Sequence, residues 1–169
     1  FIENGISDDP ILCQAVCNVL GDLNNPLEGL EYQDAIYDLA IAMQHTTKQF
    51  NNKHKTCDYR AVKLAREYIS ANLRHTISLD DLENITGQDR WQLSRDFRAL
   101  YGTSPYRYLV LRRLDKARNM MLTGRSAADS AIACNFSDQS HMNRHFKKAF
   151  GLTPRQLTSS IQSTRPNYI

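Results

Sequence analysis

The stretch QLSRDFRALYGTSPYRY, residues 92–108, is echoed by HMNRHFKKAFGLTPRQL, residues 141–157, with Arg, Phe, Gly and Pro at matching places. Each copy follows a short segment that opens with a helix-capping serine, Ser78 in the first and Ser126 in the second. A short capped helix, a tight turn and a second helix closed by glycine form the outline of a helix-turn-helix unit. The sequence therefore predicts two such units in one chain of 169 residues.

Helical patterns continue outside the repeat. Residues 9–23 and 27–48 place apolar side chains at helical spacing and predict a helical hairpin. Residues 104–122 predict a long helix between the two repeated units. No segment alternates apolar and polar residues over the length of a strand. We therefore predict an all-α fold, with two helix-turn-helix units joined by a long linker helix and preceded by a helical hairpin.

Charge divides the chain into an acidic front and a basic back. Residues 1–57 contain three Lys or Arg and eight Asp or Glu, a net charge of −5, whereas residues 58–169 contain 18 and 10, a net charge of +8. This asymmetry indicates different partners, with a polyanion as the candidate for the basic part. The predicted division is a helical hairpin over 1–50, a linker over 51–57, a domain with the two helix-turn-helix units over 58–160 and a C-terminal tail over 161–169.

Helical spacing separates an inner from an outer face in the second helix of each unit. The predicted inner residues are Leu93, Phe97 and Leu100 in the first copy, and Met142, Phe146 and either Ala149 or Phe150 in the second. The outer residues include side chains that read bases, since Arg bonds guanine and Gln or Asn bonds adenine. The outer face holds Trp91, Ser94, Arg95 and Arg98 in the first copy, and Gln139, Ser140, Asn143, Arg144 and Lys147 in the second.

Basic side chains near these faces are candidates for phosphate contacts, which give affinity and position the protein on DNA. The predicted phosphate ligands are Arg98, Arg112 and Lys147, and Arg113, Lys116 and Arg118 of the long helix can also reach phosphates. The long helix should bury Leu111, Leu114 and Met121. Its length of roughly 28 Å suits a spacer, because successive major-groove segments lie about 34 Å apart on one face of DNA.

From Ser78 to Leu157 the chain resembles the DNA-binding domain of the AraC/XylS family of bacterial transcription regulators. The resemblance is clearest in FSDQSHMNRHFKKAFGLTPRQL, residues 136–157, and extends back to about Asp58. It implies a seven-helix domain that binds double-stranded DNA, and it implies activation of transcription with RNA polymerase as a partner. It also implies base contacts from the middle of both recognition helices, which by position are Trp91, Ser94, Arg95, Gln139, Ser140, Asn143 and Arg144. One departure is Glu83-Asn84, which stands where the family usually has a pair of small residues.

The front hairpin resembles the helical end of the regulatory domain in such proteins. There a β-barrel holds a small-molecule effector, and the two helices that follow mediate dimerisation. The chain begins with Phe1 rather than Met, so we expect it to be a piece of a longer protein whose effector-binding segment precedes it. The resemblance then implies a homodimer formed through apolar hairpin residues, which are Val16, Leu20, Leu23, Ile36, Leu39 and Met43.

Local alternatives stay open for several of these residues. Trp91 can be a packing residue rather than a DNA contact, and Arg95 and Arg144 can be held by Asp96 and Asp138. Residues of the recognition helices can also touch phosphate alone, which would give affinity without sequence preference.

Other kinds of site and function are disfavoured. His141 and His145 have a spacing that can bind metal, but no acidic or Cys ligand accompanies them, so we expect no metal and no cofactor. The four cysteines form no ligand pattern and are expected to be reduced, and Cys134, an imaginable alkyl-group acceptor, has no base beside it. We expect no enzymatic activity, no catalytic residue, no membrane partner and a cytoplasmic location. The alternative function is a helical protein-protein interaction module with a basic face.

Overall fold

The computed structural model describes residues 7–20, 29–46 and 57–162. Within these ranges the chain forms nine α-helices and no strand, which confirms the predicted all-α class. The helices are α1 (Pro10–Leu20), α2 (Gly29–Thr46), α3 (Tyr59–Ala71), α4 (Leu79–Thr86), α5 (Arg90–Tyr101), α6 (Pro105–Leu122), α7 (Ala127–Ala133), α8 (Gln139–Phe150) and α9 (Pro154–Gln162). Among the described residues, no helix combines the length and the apolar character needed to cross a membrane.

The helices fall into two compact units. The first gathers the chain up to Tyr68 with Ile77–Tyr106, and so contains α1, α2, α4 and α5. The second gathers Ile69–Thr76 with the chain from Arg107 onwards, and so contains α7, α8 and α9. Each unit holds one helix-turn-helix, and the hairpin lies in the same unit as the first of them.

The hairpin closes around a small apolar core. Leu12 and Ala15 of α1 pack with Ala42 of α2, and Leu39 packs against this cluster. Asp9 begins α1 because its carboxylate accepts a hydrogen bond of 2.8 Å from the backbone N–H of Ile11. Leu39, predicted to take part in dimerisation, therefore contributes to the hairpin's own core.

The remaining predicted dimerisation residues differ in exposure. Val16, Leu20 and Met43 are exposed, and Leu20 is the most exposed of them at 67%. Ile36 is half-buried. Leu23 lies outside the described residues.

The first helix-turn-helix is fixed by caps at both of its helices. Ser78 and Asp81 form a capping box at the start of α4. Gly87 ends α4 with φ of 66°, a left-handed conformation that glycine adopts without strain, and it donates its N–H to the Glu83 carbonyl. Asp89 then caps α5 through the backbone N–H groups of Trp91 and Gln92.

The core of the first unit matches the prediction except at Leu100. Leu82, Leu93 and Phe97 are fully buried. The prediction that Leu100 faces inward was wrong, because Leu100 is 39% exposed and the ring of Tyr101 instead packs 4.9 Å from the ring of Phe97. Helical spacing allows either residue, because side chains three and four positions after Phe97 are both its neighbours on α5.

The second helix-turn-helix repeats this construction. Ser126 caps α7 and Asp138 caps α8, each through an oxygen of its own side chain. Met142 and Phe146 are fully buried, as predicted. Of the two alternatives for the last inward position, the structure favours Phe150, whose ring lies 4.6 Å from that of Phe146, while Ala149 is exposed.

Two predictions for α6 were wrong. Leu114 and Met121 are buried as expected, but Leu111 is exposed, because the buried stripe runs through Val110, Leu114, Ala117 and Met121. Arg113 was expected to reach phosphate and is instead 9% exposed. Its guanidinium donates to the backbone carbonyls of Leu73 at 2.9 Å and His75 at 2.8 Å. These hydrogen bonds fix the backbone that follows α3.

Candidate nucleic-acid interface

The face of α8 predicted to read DNA bases is largely open to solvent. Gln139, Ser140, Arg144 and Lys147 are exposed, and Asn143 is half-buried. The Asp138 cap and the buried Met142 and Phe146 side chains fix the helix from its start and from its inner side. The helix thus presents amide, hydroxyl and guanidinium groups from one rigid element, which is the chemistry required for reading base edges.

A groove adjoins this face within the second unit. Gln139 and Asn143 line it together with Arg155 of α9 and residues of the turn after α6. The Oδ1 atom of Asn143 is buried and accepts no hydrogen bond from the part of the chain that is described. Two predicted base readers therefore share one concave surface with a basic side chain from the last helix.

A histidine pair stands on the flank of α8. His141 and His145 approach to 2.9 Å between their Nε2 atoms, and Ser137 Oγ lies 2.9 Å from His141 Nδ1. Burial, followed by the positive charges of His141, Lys148 and Arg144, lowers the pKa of His145 to about 4. The His145 ring is therefore neutral at neutral pH. Within the ranges described, no third His, Cys, Asp or Glu joins the pair to complete a metal site.

Cys134 occupies an inert environment. Its side chain is buried, its Sγ lies 3.8 Å from the Sδ of Met120, and burial raises the pKa of the thiol despite the nearby Lys116, Arg113 and Arg74. A protonated thiol is a poor nucleophile. This environment disfavours the alkyl-acceptor alternative on chemical grounds.

The face of α5 predicted to read DNA is partly covered by α2. The ring of Trp91 stacks on the ring of Tyr37, with centroids 5.4 Å apart. The guanidinium of Arg98 lies 4.1 Å from the centroid of the same Tyr37 ring and pairs with the carboxylates of Asp34 and Asp38. Trp91 keeps 46% of its surface exposed, whereas Arg98 is committed to α2.

Ser94 does not lie on an open face as predicted. It is 4% exposed, and it stands between Trp91 and Arg98 on the same side of α5. Both flanking residues contact α2. Helical spacing showed which side of α5 points away from its own helix-turn-helix core, but it did not show that another helix covers that side.

Arg95 is held by a buried carboxylate. Asp96 is 2% exposed and accepts hydrogen bonds from Gln92, Gln88, the backbone N–H of Asp58 and Arg95, the last at 3.1 Å. Burial raises the pKa of Asp96, but these hydrogen bonds outweigh it and leave the pKa below its usual value. The ionised Asp96 thus orients the Arg95 guanidinium, one of the local alternatives that the sequence left open.

Glu83 explains the departure noted in the first short helix. Its carboxylate accepts the backbone N–H of Arg90 at 2.7 Å and also pairs with the Arg90 guanidinium. Asp80 pairs with the same guanidinium at 2.6 Å. An acidic residue at position 83 therefore anchors the start of α5, a role that a small residue would not fill.

Sequence reasoning missed the acidic and aromatic side of α2. Asp34, Tyr37 and Asp38 are spaced by three and four positions, so they share one side of a helix. Two carboxylates beside an aromatic ring are a suitable partner for an exposed guanidinium. That spacing, set against the basic outer face of α5, was the signal available in the sequence.

Two helix-turn-helix units, with polar and basic side chains on the second helix of the second unit, define the chain as a helix-turn-helix protein of the DNA-binding type. A family model described as a helix-turn-helix domain matches residues 82–160. The chain belongs to the AraC/XylS family of transcription regulators. This confirms the resemblance found in the sequence, and the family is one of DNA-binding regulators rather than enzymes.

Individual relatives agree with this assignment. YkgA of Escherichia coli (strain K12), named as an HTH-type transcriptional regulator, is 35% identical over 91 residues, which is 53% of this chain and 38% of YkgA. The HTH-type transcriptional activator AarP of Providencia stuartii is 27% identical over 106 residues, 62% of this chain and 78% of AarP. The chain thus spans well under half of YkgA and most of AarP.

A solved structure supports the fold directly. The crystal structure of a transcriptional regulator with an AraC-type DNA-binding domain, from Chromobacterium violaceum, superposes with a TM-score of 0.56 at 30% identity. The match covers 63% of this chain and 95% of that chain. The similarity therefore extends over nearly the whole of the solved domain.

Proposed function

We propose that the chain binds double-stranded DNA sequence-specifically as part of a transcription regulator. The observation that carries this proposal is the exposed face of α8, where Gln139, Ser140 and Arg144 stand on a helix fixed by its cap and core. Gln and Arg can each make two hydrogen bonds to a base edge. The hydroxyl of Ser can bond either a donor or an acceptor on a base edge. Asn143, at the edge of this face, supplies a further amide.

The contacts divide into reading and positioning roles. Arg144, Gln139, Ser140 and Asn143 would read bases from α8, while Trp91, Arg95 and Ser94 would do so from α5 once its face is open. Lys147, Arg112 and Arg98 would neutralise phosphates, of which Lys147 and Arg112 are exposed and Arg98 pairs with α2. Phosphate contacts make binding depend steeply on salt, whereas base contacts make it depend on sequence.

Three features of the whole protein follow as proposals. The exposed apolar residues Val16, Leu20 and Met43 would pair two chains, so that a homodimer occupies two half-sites. A small-molecule effector would be bound by a segment outside this chain. The regulator would act in the bacterial cytoplasm as an activator that contacts RNA polymerase, a role supported by the family and by the name of its relative AarP.

Selection from a pool of random duplexes tests the proposal. The chain should enrich a defined sequence, and the enriched sites should contain a motif that a single helix-turn-helix can cover. Recovery of unrelated sequences with equal affinity would contradict sequence-specific binding.

The second candidate function is a helical module whose basic face binds an acidic protein. It is favoured by the net charge of +8 over residues 58–169. It predicts binding to acidic polypeptides without enrichment of any duplex sequence, so the same selection separates the two functions.

A further inference from the structure

The contact between α2 and α5 lies within the first compact unit and is made by side chains. Tyr37 is 8% exposed because Trp91 covers one part of its ring and the Arg98 guanidinium another. Asp34 is also 8% exposed, and its carboxylate accepts a hydrogen bond of 2.8 Å from Ser104 Oγ while it pairs with Arg98. Both residues of α2 thus have several partners in and beside the first helix-turn-helix.

A further bond ties the start of the same helix to α4. The side-chain oxygen of Gln33 accepts the backbone N–H of Leu79 at 3.2 Å. This N–H is one of the four at the start of α4 that have no partner within the helix. Helix α2 thus contacts α4, α5 and the residue before α6, and these contacts together dock it on the first helix-turn-helix.

The groups that α2 presents to α5 share charge and apolar character with groups of DNA. Asp34 and Asp38 offer anionic oxygens to Arg98, as phosphates would, and Tyr37 offers an apolar surface to Trp91, as a thymine methyl would. Ser94, the residue between them on α5, is buried in this arrangement. The side of α5 proposed to face DNA is therefore already partly occupied.

We infer that α2 and duplex DNA compete for one face of α5, so that the first helix-turn-helix reads DNA only when α2 has left it. The inference rests on the proposed function, because it requires that α5 bind DNA. A docked α2 lowers the apparent affinity for DNA by a factor equal to the reciprocal of the fraction of time that the face is open. Any event that draws α2 away would raise DNA affinity by the same factor.

Substitution at Tyr37 tests the competition without changing charge. Tyr37→Ala removes the ring that meets Trp91 and Arg98, and Tyr37→Phe keeps that ring as a matched control. We expect the full chain with Tyr37→Ala to bind the selected duplex about three- to tenfold more tightly than the wild type. Tyr37→Phe should bind as the wild type does. Circular dichroism and thermal unfolding of each variant establish that it is folded.

Substitution at Asp38 tests the ionic part of the contact. Asp38→Asn removes one partner of Arg98, and Glu31→Gln makes the same change of charge on α2 at a residue that forms no ion pair with the described residues. Asp38→Asn should tighten binding more than Glu31→Gln does. The difference should persist as salt is raised, because salt screens long-range charge more than it screens a close ion pair.

Hydrogen exchange of the unaltered chain gives an independent measurement. Addition of the selected duplex should slow exchange of the α5 amides and accelerate exchange of the α2 amides, because DNA displaces α2. Slower or unchanged exchange in α2 on DNA binding would overturn the inference.

The outcomes separate the inference from the proposed function. If the wild type, Tyr37→Ala and Asp38→Asn bind the duplex equally, the inference fails while the proposed function stands. If none of them binds any duplex, the proposed function fails and the inference fails with it. Binding by Tyr37→Ala alone would support both.

Discussion

His145 shows how one side chain of α8 makes stability depend on pH. Its pKa in the folded chain is about 4, against an ordinary value of 6.5, because the ring is buried beside positive charges. The folded chain therefore binds this proton more weakly than the unfolded chain does. It follows that the free energy of unfolding decreases as pH falls from about 6.5 to about 4.

This predicts a measurable pH slope. Urea unfolding between pH 7.5 and 4.5 should show a loss of roughly 2 kcal/mol attributable to His145. The variant His145→Gln should lose most of that slope, while His75→Gln, at an exposed position, should keep it. An unchanged slope in His145→Gln would mean that the folded chain tolerates the charged ring.

At the same scale, individual residues show what sequence can and cannot predict. The capping residues Ser78, Asp89, Ser126 and Asp138 were predictable because a cap acts on the backbone N–H groups two or three positions ahead of it. Arg113 was not, because its partners are carbonyls at Leu73 and His75. The position of those carbonyls depends on the tertiary fold rather than on the neighbouring sequence.

At the scale of elements, α5 and α8 are copies that differ in their surroundings. Both end at a left-handed glycine and both bury a central phenylalanine, features that the repeat predicted. The outer face of α8 is exposed, whereas that of α5 lies against α2. Periodicity identifies the side that avoids the local core, but only the fold shows what else occupies that side.

The exposed face of α8 allows a prediction about its two kinds of contact. Arg144→Ala should cost on the order of 1–3 kcal/mol of binding to the selected duplex and relax the preference at one base position. Lys147→Ala should weaken binding to all duplexes about equally and reduce the salt dependence. Competition binding against a panel of single-base variants measures both. Equal losses of Arg144→Ala on selected and scrambled DNA would show that Arg144 contacts phosphate.

At the scale of the whole molecule, the hairpin has two surfaces with different roles. One side of α2 is docked on α5, while α1 exposes Val16 and Leu20. The sequence predicted the hairpin and its apolar residues correctly but assigned Leu39 to dimerisation, although it packs in the hairpin core. Exposure of an apolar residue depends on which neighbours reach it, and spacing along one helix does not specify those neighbours.

The proposed dimer allows a prediction at this scale. Leu20→Glu places a charge on an exposed apolar residue and should shift the chain from dimer to monomer without unfolding it, since Leu20 contributes little to the core. Gln14→Glu adds the same charge about 120° around α1 and should leave the dimer intact. Sedimentation equilibrium measures both. A wild-type chain that is monomeric at every concentration would contradict a hairpin-mediated dimer.

The central claim is that this chain reads DNA sequence through its helix-turn-helix units. The most direct measurement is a titration of the full chain with the selected duplex and with a scrambled duplex of equal length, each at about 50 and 200 mM salt. We predict steep salt dependence on both duplexes, together with tighter binding to the selected one that survives at the higher salt. Equal affinity for the two duplexes at both salt concentrations, or no binding at the lower one, would contradict the claim.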